Sequence, residues 1–196
     1  GQLNLPDMFV RLIFSLVRTR VAPETFYERD AEGKPQSTHY DALPVDFTAA
    51  VTVGLSLLRH TEFRTFNVVN YHHEDGVSLD TVADWVESAG YPLERVRDHA
   101  AWLKQFEQKL RAMPEEERQH SSLNILGWLA NPHPVKTQHP ASSNFQAALA
   151  RLNAGPDAPH LTEALIHKHI LDLQLLGILP ERAVADASHD VAIEGS

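Results

Sequence analysis

The sequence predicts a mainly helical fold with one or two short strands. Three observations predict it. Apolar residues recur at helical spacing along most of the chain, several of these stretches open on a capping residue, and only two short runs carry a strand-like mix. With 196 residues, 43% of them hydrophobic, the chain is long enough to bury a sizeable core, as one domain or most of one.

The first helix is written in Leu5, Met8, Phe9, Leu12, Ile13, Leu16 and Val17, with Asn4 as cap and Pro6 in the first turn. Val10 and Phe14 widen its stripe, so it should pack on two sides and present one of them to another part of a larger protein. Val21-Ala22-Pro23 stops it, and 23–40 reads as an exposed loop or hairpin. A second helix runs from about Val45 to Leu58, opened by Pro44 and Asp46. Phe63 to Asn70 is the best strand candidate, its Phe66, Val68 and Val69 suggesting burial on both faces of a parallel sheet. Ser78 caps a helix through Ser88, and Gly90 sits where a left-handed residue closes it. Leu93 to Val96 is the second strand candidate. Asp98 caps a helix with Trp102, Leu103, Phe106 and Leu110 on one face, ended by Pro114. Helices over Glu115–Leu129, Ser143–Leu152 and Thr162–Leu176 follow, with a Pro/His-rich connection from His133 to Pro140 and a polar, frayed tail over 181–196.

Composition narrows the function. A formal charge of −9 without clustered Lys and Arg argues against nucleic acid. No apolar run approaches the ~20 residues of a membrane span, and no signal peptide is visible. The absence of cysteine excludes disulfides and thiolate metal sites and is compatible with a cytoplasmic protein. The nine glycines never crowd into a phosphate loop. The four tyrosines are followed four residues later by Ala31, Pro44, Asp75 and Arg95, never by Lys, and Pro92 breaks the turn that would bring Arg95 to Tyr91. No catalytic group and no cofactor loop is therefore expected within these residues. Adjacent His72, His73, Glu74 and Asp75 point in different directions on any regular element, and His167 and His169 are two apart on a helix, so no metal site is expected either.

Six segments nevertheless fall in a telling order. They are Gly1-Gln2-Leu3-Asn4-Leu5-Pro6-Asp7-Met8-Phe9, Ala22-Pro23-Glu24-Thr25-Phe26-Tyr27, His39-Tyr40-Asp41-Ala42-Leu43-Pro44-Val45-Asp46-Phe47, Asp75-Gly76-Val77-Ser78-Leu79-Asp80 with Asp84-Trp85, Ala89-Gly90-Tyr91-Pro92, and Asp172-Leu173-Gln174-Leu175-Leu176-Gly177. Together they resemble the C-terminal half of the thioester reductase domain of carboxylic acid reductases and nonribosomal peptide synthetases, which are extended short-chain dehydrogenase/reductases. Tyr71 departs from the family pattern, which often has Pro there.

The resemblance implies the C-terminal lobe of an α/β Rossmann-type reductase. In that family an acyl thioester on the phosphopantetheine arm of a carrier domain is reduced to an aldehyde by NADPH. The NADP(H) site and the Tyr/Lys pair lie in an N-terminal nucleotide-binding half, which would here lie upstream; Gly1 in place of Met fits a piece of a longer chain. The implied layout is a junction with that half over 1–60, a helical substrate-binding lobe over 61–180 and a flexible tail over 181–196. Asn4, Met8 and Arg11 would meet substrate at the junction, Leu43, Pro44 and Val45 would line the acyl channel, and the loop residues Tyr27 and Tyr40 would cover the pantetheine arm. Asp46 is read as a helix-start residue and Asp7–Arg11 as a helix pair. Two other readings stand beside this one: a non-catalytic module that docks an acyl-carrier protein, and a metal-dependent hydrolase.

Overall fold

The computed structural model describes residues 3–36, 38–58, 62–134, 139–152 and 157–180. Its centre is α1 (Met8–Thr19). Asp7, not Asn4, sets the start: its Oδ1 accepts the N–H groups of Phe9 at 2.9 Å and Val10 at 3.3 Å. Asn4 contributes only its carbonyl, to the Asp7 N–H at 3.0 Å, and Arg11 turns away from Asp7. The helix ends at Arg20, whose left-handed backbone (φ 58°) lets its N–H reach the Leu16 carbonyl at 2.9 Å.

Leu12, Ile13, Phe14 and Leu16 are fully buried. Both apolar sides of α1 are covered by this chain, since α3 (Leu79–Ser88), α4 (His99–Arg111) and α8 (Glu163–Leu175) pack around it. The expectation that α1 would leave one side open is thereby corrected.

Val21–Pro23 does more than stop α1. It forms β1 and pairs in parallel with β2 (Glu94–Val96), in the register Val21 to Glu94 and Pro23 to Val96. Pro23 is tolerated at the end of so short a strand because a missing donor there breaks no interior rung. Within 23–40, an isolated bridge between Arg29 and Pro35 makes the expected hairpin. β2 bears out the second strand candidate. Ser78, Asp98 and Thr162 cap α3, α4 and α8 through bonds to the amides of Thr81, Ala101 and Leu165. Gly90 (φ 86°) closes α3 as expected.

Two expectations are corrected. Glu115–Leu129 is not one helix but α5 (Glu115–Arg118), a 3-10 turn (Ser122–Ile125) and α6 (Leu126–Leu129). Tertiary bonds claim the intervening backbone: the Ser122 N–H donates to Ser15 Oγ at 2.8 Å, and the Gln119 and Ser121 carbonyls accept from Arg11. Phe63–Asn70 is extended but belongs to no strand among the described residues. A ladder needs a neighbouring strand, and the described chain supplies none there.

The main core draws on both sides of residue 60, from Val10 to Leu179. A smaller cluster joins Val51 and Leu55 of α2 (Val45–Leu57) to Phe145, Ala148 and Leu149 of α7 (Ser143–Leu149), with Phe66 and Val68 packed against it. The tail over 181–196 lies outside the described residues.

Candidate functional site

The structure sorts the expected substrate residues into two groups. Asn4 and Met8 lie at the exposed start of α1, Met8 being 39% exposed. Beside Met8, Phe9 stacks on Tyr40 with ring centroids 5.2 Å apart, and His169 of α8 meets Phe9 edge-on. Tyr40 begins the run that leads through half-buried Leu43 and Pro44 to Val45, 74% exposed at the start of α2. Burial, helped by the charges of Asp7 and Asp41, pushes the Tyr40 phenol up to about 12, so it stays protonated and able to donate.

Arg11 and Tyr27 leave this group. The Arg11 guanidinium is spent on the carbonyls of Pro6 (3.1 Å), Gln119 (2.6 Å) and Ser121 (3.0 Å), tying α1 to the turn after α5. Tyr27 is not a loop aromatic facing a crevice. It is 3% exposed, and its hydroxyl accepts the Leu79 N–H at 2.9 Å. Burial drives its pKa upward, only partly offset by that bond.

What holds the 39–45 run is a set of contacts that sequence reasoning missed. Fully buried Asn70 donates its N–H to Asp41 Oδ1 (3.0 Å) and its Nδ2 to the Ala42 carbonyl (3.1 Å). Asp75 accepts from His39 Nδ1 (3.0 Å), His160 Nδ1 (3.2 Å) and the Val77 N–H (3.0 Å), clasping three distant segments. Burial alone would raise the Asp75 pKa, but these three donors together hold it below 3.8. Nearby, His72 stacks on His160 at 3.8 Å and His73 on His139 at 3.5 Å. Tyr71, where the family pattern often has Pro, hydrogen-bonds Asp157.

Around His73, burial first and then the rings of His139 and His39 lower the pKa below 6.5, against the pull of Asp41 and Glu74. The folded state therefore favours neutral His73. Its contribution is complete above the unfolded pKa and is lost as pH falls towards the folded value. Asp75 has the same sign at lower pH. Acid destabilisation should thus begin below about pH 6.5, well before the carboxylates titrate. Thermal melts across pH 4.5–7.5 check it: His73→Asn should flatten that limb, and an unchanged slope would remove His73 from the account.

No group of three or more His, Cys, Asp or Glu side chains is placed to hold a metal among the described residues. Nor do the helix starts suit a pyrophosphate. The first amides of α1, α3, α4 and α8 are already bonded to Asp7, Ser78, Asp98 and Thr162, two of them carboxylates that would repel phosphate. A dinucleotide does not fit these residues. An open depression of about 580 Å³ lined by Arg18, Glu117, His120 and Ile178 lies apart from the expected substrate residues. No helix among the described residues is long and apolar enough to cross a membrane.

Comparison with known proteins gives clear relatives, although no family model matches the chain. It is 47% identical over 182 residues to a carboxylic acid reductase of Segniliparus rugosus and 41% identical over 182 residues to one of Mycobacterium marinum. Each match covers 91% of this chain but 15% of the relative, so the chain spans about one-seventh of their length. Among solved structures, the reductase domain of a nonribosomal peptide synthetase from Mycobacterium tuberculosis superposes with a TM-score of 0.81 at 40% identity, covering 91% of this chain and 43% of that one.

Proposed function

Because the chain is homologous to the C-terminal region of carboxylic acid reductases and of nonribosomal peptide synthetase reductase domains, we propose that it forms the substrate lobe of an NADPH-dependent thioester reductase. The observation that carries this reading is the match of nine-tenths of the chain to a solved reductase domain at 40% identity. The substrate is an acyl thioester on the phosphopantetheine arm of a carrier domain, and the product is an aldehyde. NADPH supplies the hydride and is held by a nucleotide-binding half outside these residues, as the occupied helix starts require.

In this reading the start of α1 and the 40–45 run flank the arm. Met8, Leu43, Pro44 and Val45 offer apolar surface to acyl and pantetheine methylenes, while Asn4 and the protonated Tyr40 hydroxyl offer polar contacts to its amides. Arg11 and Tyr27 act one step back, fixing the frame on which those residues sit. Asn70 and the Asp75 clasp hold the 39–45 run in place, which matters because small displacements of a bound thioester cost reactivity steeply.

The test has two arms. This chain alone should neither bind nor oxidise NADPH by calorimetry and absorbance. The M. tuberculosis reductase domain with its matching region exchanged for this chain should oxidise NADPH when given a phosphopantetheinyl thioester, and Leu43→Asp should raise its KM at least about tenfold. A folded exchange domain that binds carrier but never oxidises NADPH would leave a docking module instead.

A further inference from the structure

The second helix has an apolar face that its own chain does not use. Val51 and Leu55 of α2 face the smaller core, and ideal helical geometry puts Val45, Ala49, Val53 and Leu57 in one row at i+4 spacing on another face. Val45 is 74%, Val53 58% and Leu57 77% exposed, and Phe63 just beyond is 95% exposed. Surface stripes of this kind on soluble proteins mark places where something else packs.

The extended segment that follows is unfinished in a matching way. Phe66 and Val68 alternate inward onto the smaller cluster, with the spacing of a strand. Arg64, Thr65, Asn67, Val68 and Val69 make no backbone–backbone hydrogen bond with any described residue. Five residues of strand-like sequence thus carry backbone donors and acceptors without a ladder, beside an uncovered apolar helix face. At Asn70 the pattern ends abruptly, because its N–H is taken by Asp41.

The size of the relatives indicates what completes it. This chain covers 43% of a solved homologous reductase domain, so more than half of such a domain lies outside it. We propose that segment 64–69 adds as a strand to the edge of a β-sheet in that remaining part, and that the Val45–Ala49–Val53–Leu57 stripe packs on the same sheet's face. The inference rests on the reductase reading for the identity of the partner; the surface itself rests on the geometry of these residues alone. Strand addition supplies the missing backbone bonds, and the stripe supplies apolar area beside them. It also explains why 63–70 reads as a doubly buried strand in sequence yet stands outside any sheet here. Leu43 to Val45, at the start of α2, would then lie at the seam between the two parts.

Hydrogen exchange tests this on two samples. In this chain alone, the amides of Thr65, Asn67, Val68 and Val69 should exchange at close to unprotected rates, and Val53→Asp should leave the melting temperature unchanged while reducing binding of a hydrophobic dye. In the exchange domain described above, the same amides should slow by at least about a hundredfold, and Val53→Asp should undo that protection. Protected amides in the chain alone, or a Val53→Asp variant that melts much earlier, would show that these residues are already covered and would overturn the proposal. So would an exchange domain that turns over NADPH with the segment unprotected. A protected but inactive exchange domain would keep the docking surface and remove the reductase reading.

Discussion

Alanine in place of Trp102 should cost this chain about 3–5 kcal/mol of stability, among the largest losses a single substitution can cause. The side chain is wholly buried on α4, with Phe26 at 5.6 Å edge-on, Phe106 at 5.2 Å and His99 at 4.9 Å between ring centroids. Removing it leaves a cavity between α4 and the segment after β1, which the backbone of the parallel pair cannot collapse to fill. Each kcal/mol lowers the melting temperature of a chain this size by about 2–4 °C, so a calorimetric scan reads the effect directly. Trp102→Phe separates packing from polarity. The indole Nε1 is buried without a hydrogen-bond partner among the described residues, so phenylalanine loses volume but also removes an unsatisfied donor. Its cost should stay below about 1.5 kcal/mol. Equal losses from both variants would mean that the N–H has a partner.

The second large effect is expected at Asp75. Its side chain is 13% exposed and gathers His39, His160 and the Val77 amide on two oxygens. Asp75→Ala should cost about 2–3 kcal/mol, because it strands a buried imidazole and a backbone donor together. His39 contributes most of this, being 2% exposed, while His160 is 52% exposed and its bond is screened by water. His160→Ala should therefore cost well under 1 kcal/mol, and the difference between the two variants isolates the buried half. In the exchange domain, Asp75→Ala should also raise KM for the thioester more than it lowers kcat. Loss of stability with an unmoved KM would reduce Asp75 to a packing role.

The sequence made local features plain and distant ones invisible. Ser78, Asp98 and Gly90 were readable because a cap or a left-handed turn depends on residues within four positions. Asp7 was misread as half of an ion pair because Asn4 and Asp7 both suit a cap, and only the tertiary pull on Arg11 decides between them. Val21–Pro23 looked like a mere stop because its pairing partner, Glu94–Val96, lies far along the chain. The same distance hid the clasp: attention fell on His72 and His73 beside Asp75, whereas the rings that bond it are His39 and His160. Phe63–Asn70 shows the converse, a pattern that states how a segment is buried without stating in which company. Of the candidate site, the 40–45 run and the start of α1 were legible through resemblance to the reductase family. The inward turn of Tyr27 was not, because a tyrosine in a loop gives no sign of the amide its hydroxyl will meet.

The pairing of β1 with β2 also bears on how quickly the chain finds its fold. Three rungs join residues 21–23 to residues 94–96, so the ends of a long intervening segment must meet before any of those bonds forms. Closing so long a loop is entropically costly, whereas α1, α4 and α8 are each stabilised by nearby contacts. The slow step of folding should therefore be the docking of α4 onto the end of α1. Substitutions in that contact, such as Val21→Ala, should slow refolding, while changes in α7 should chiefly hasten unfolding.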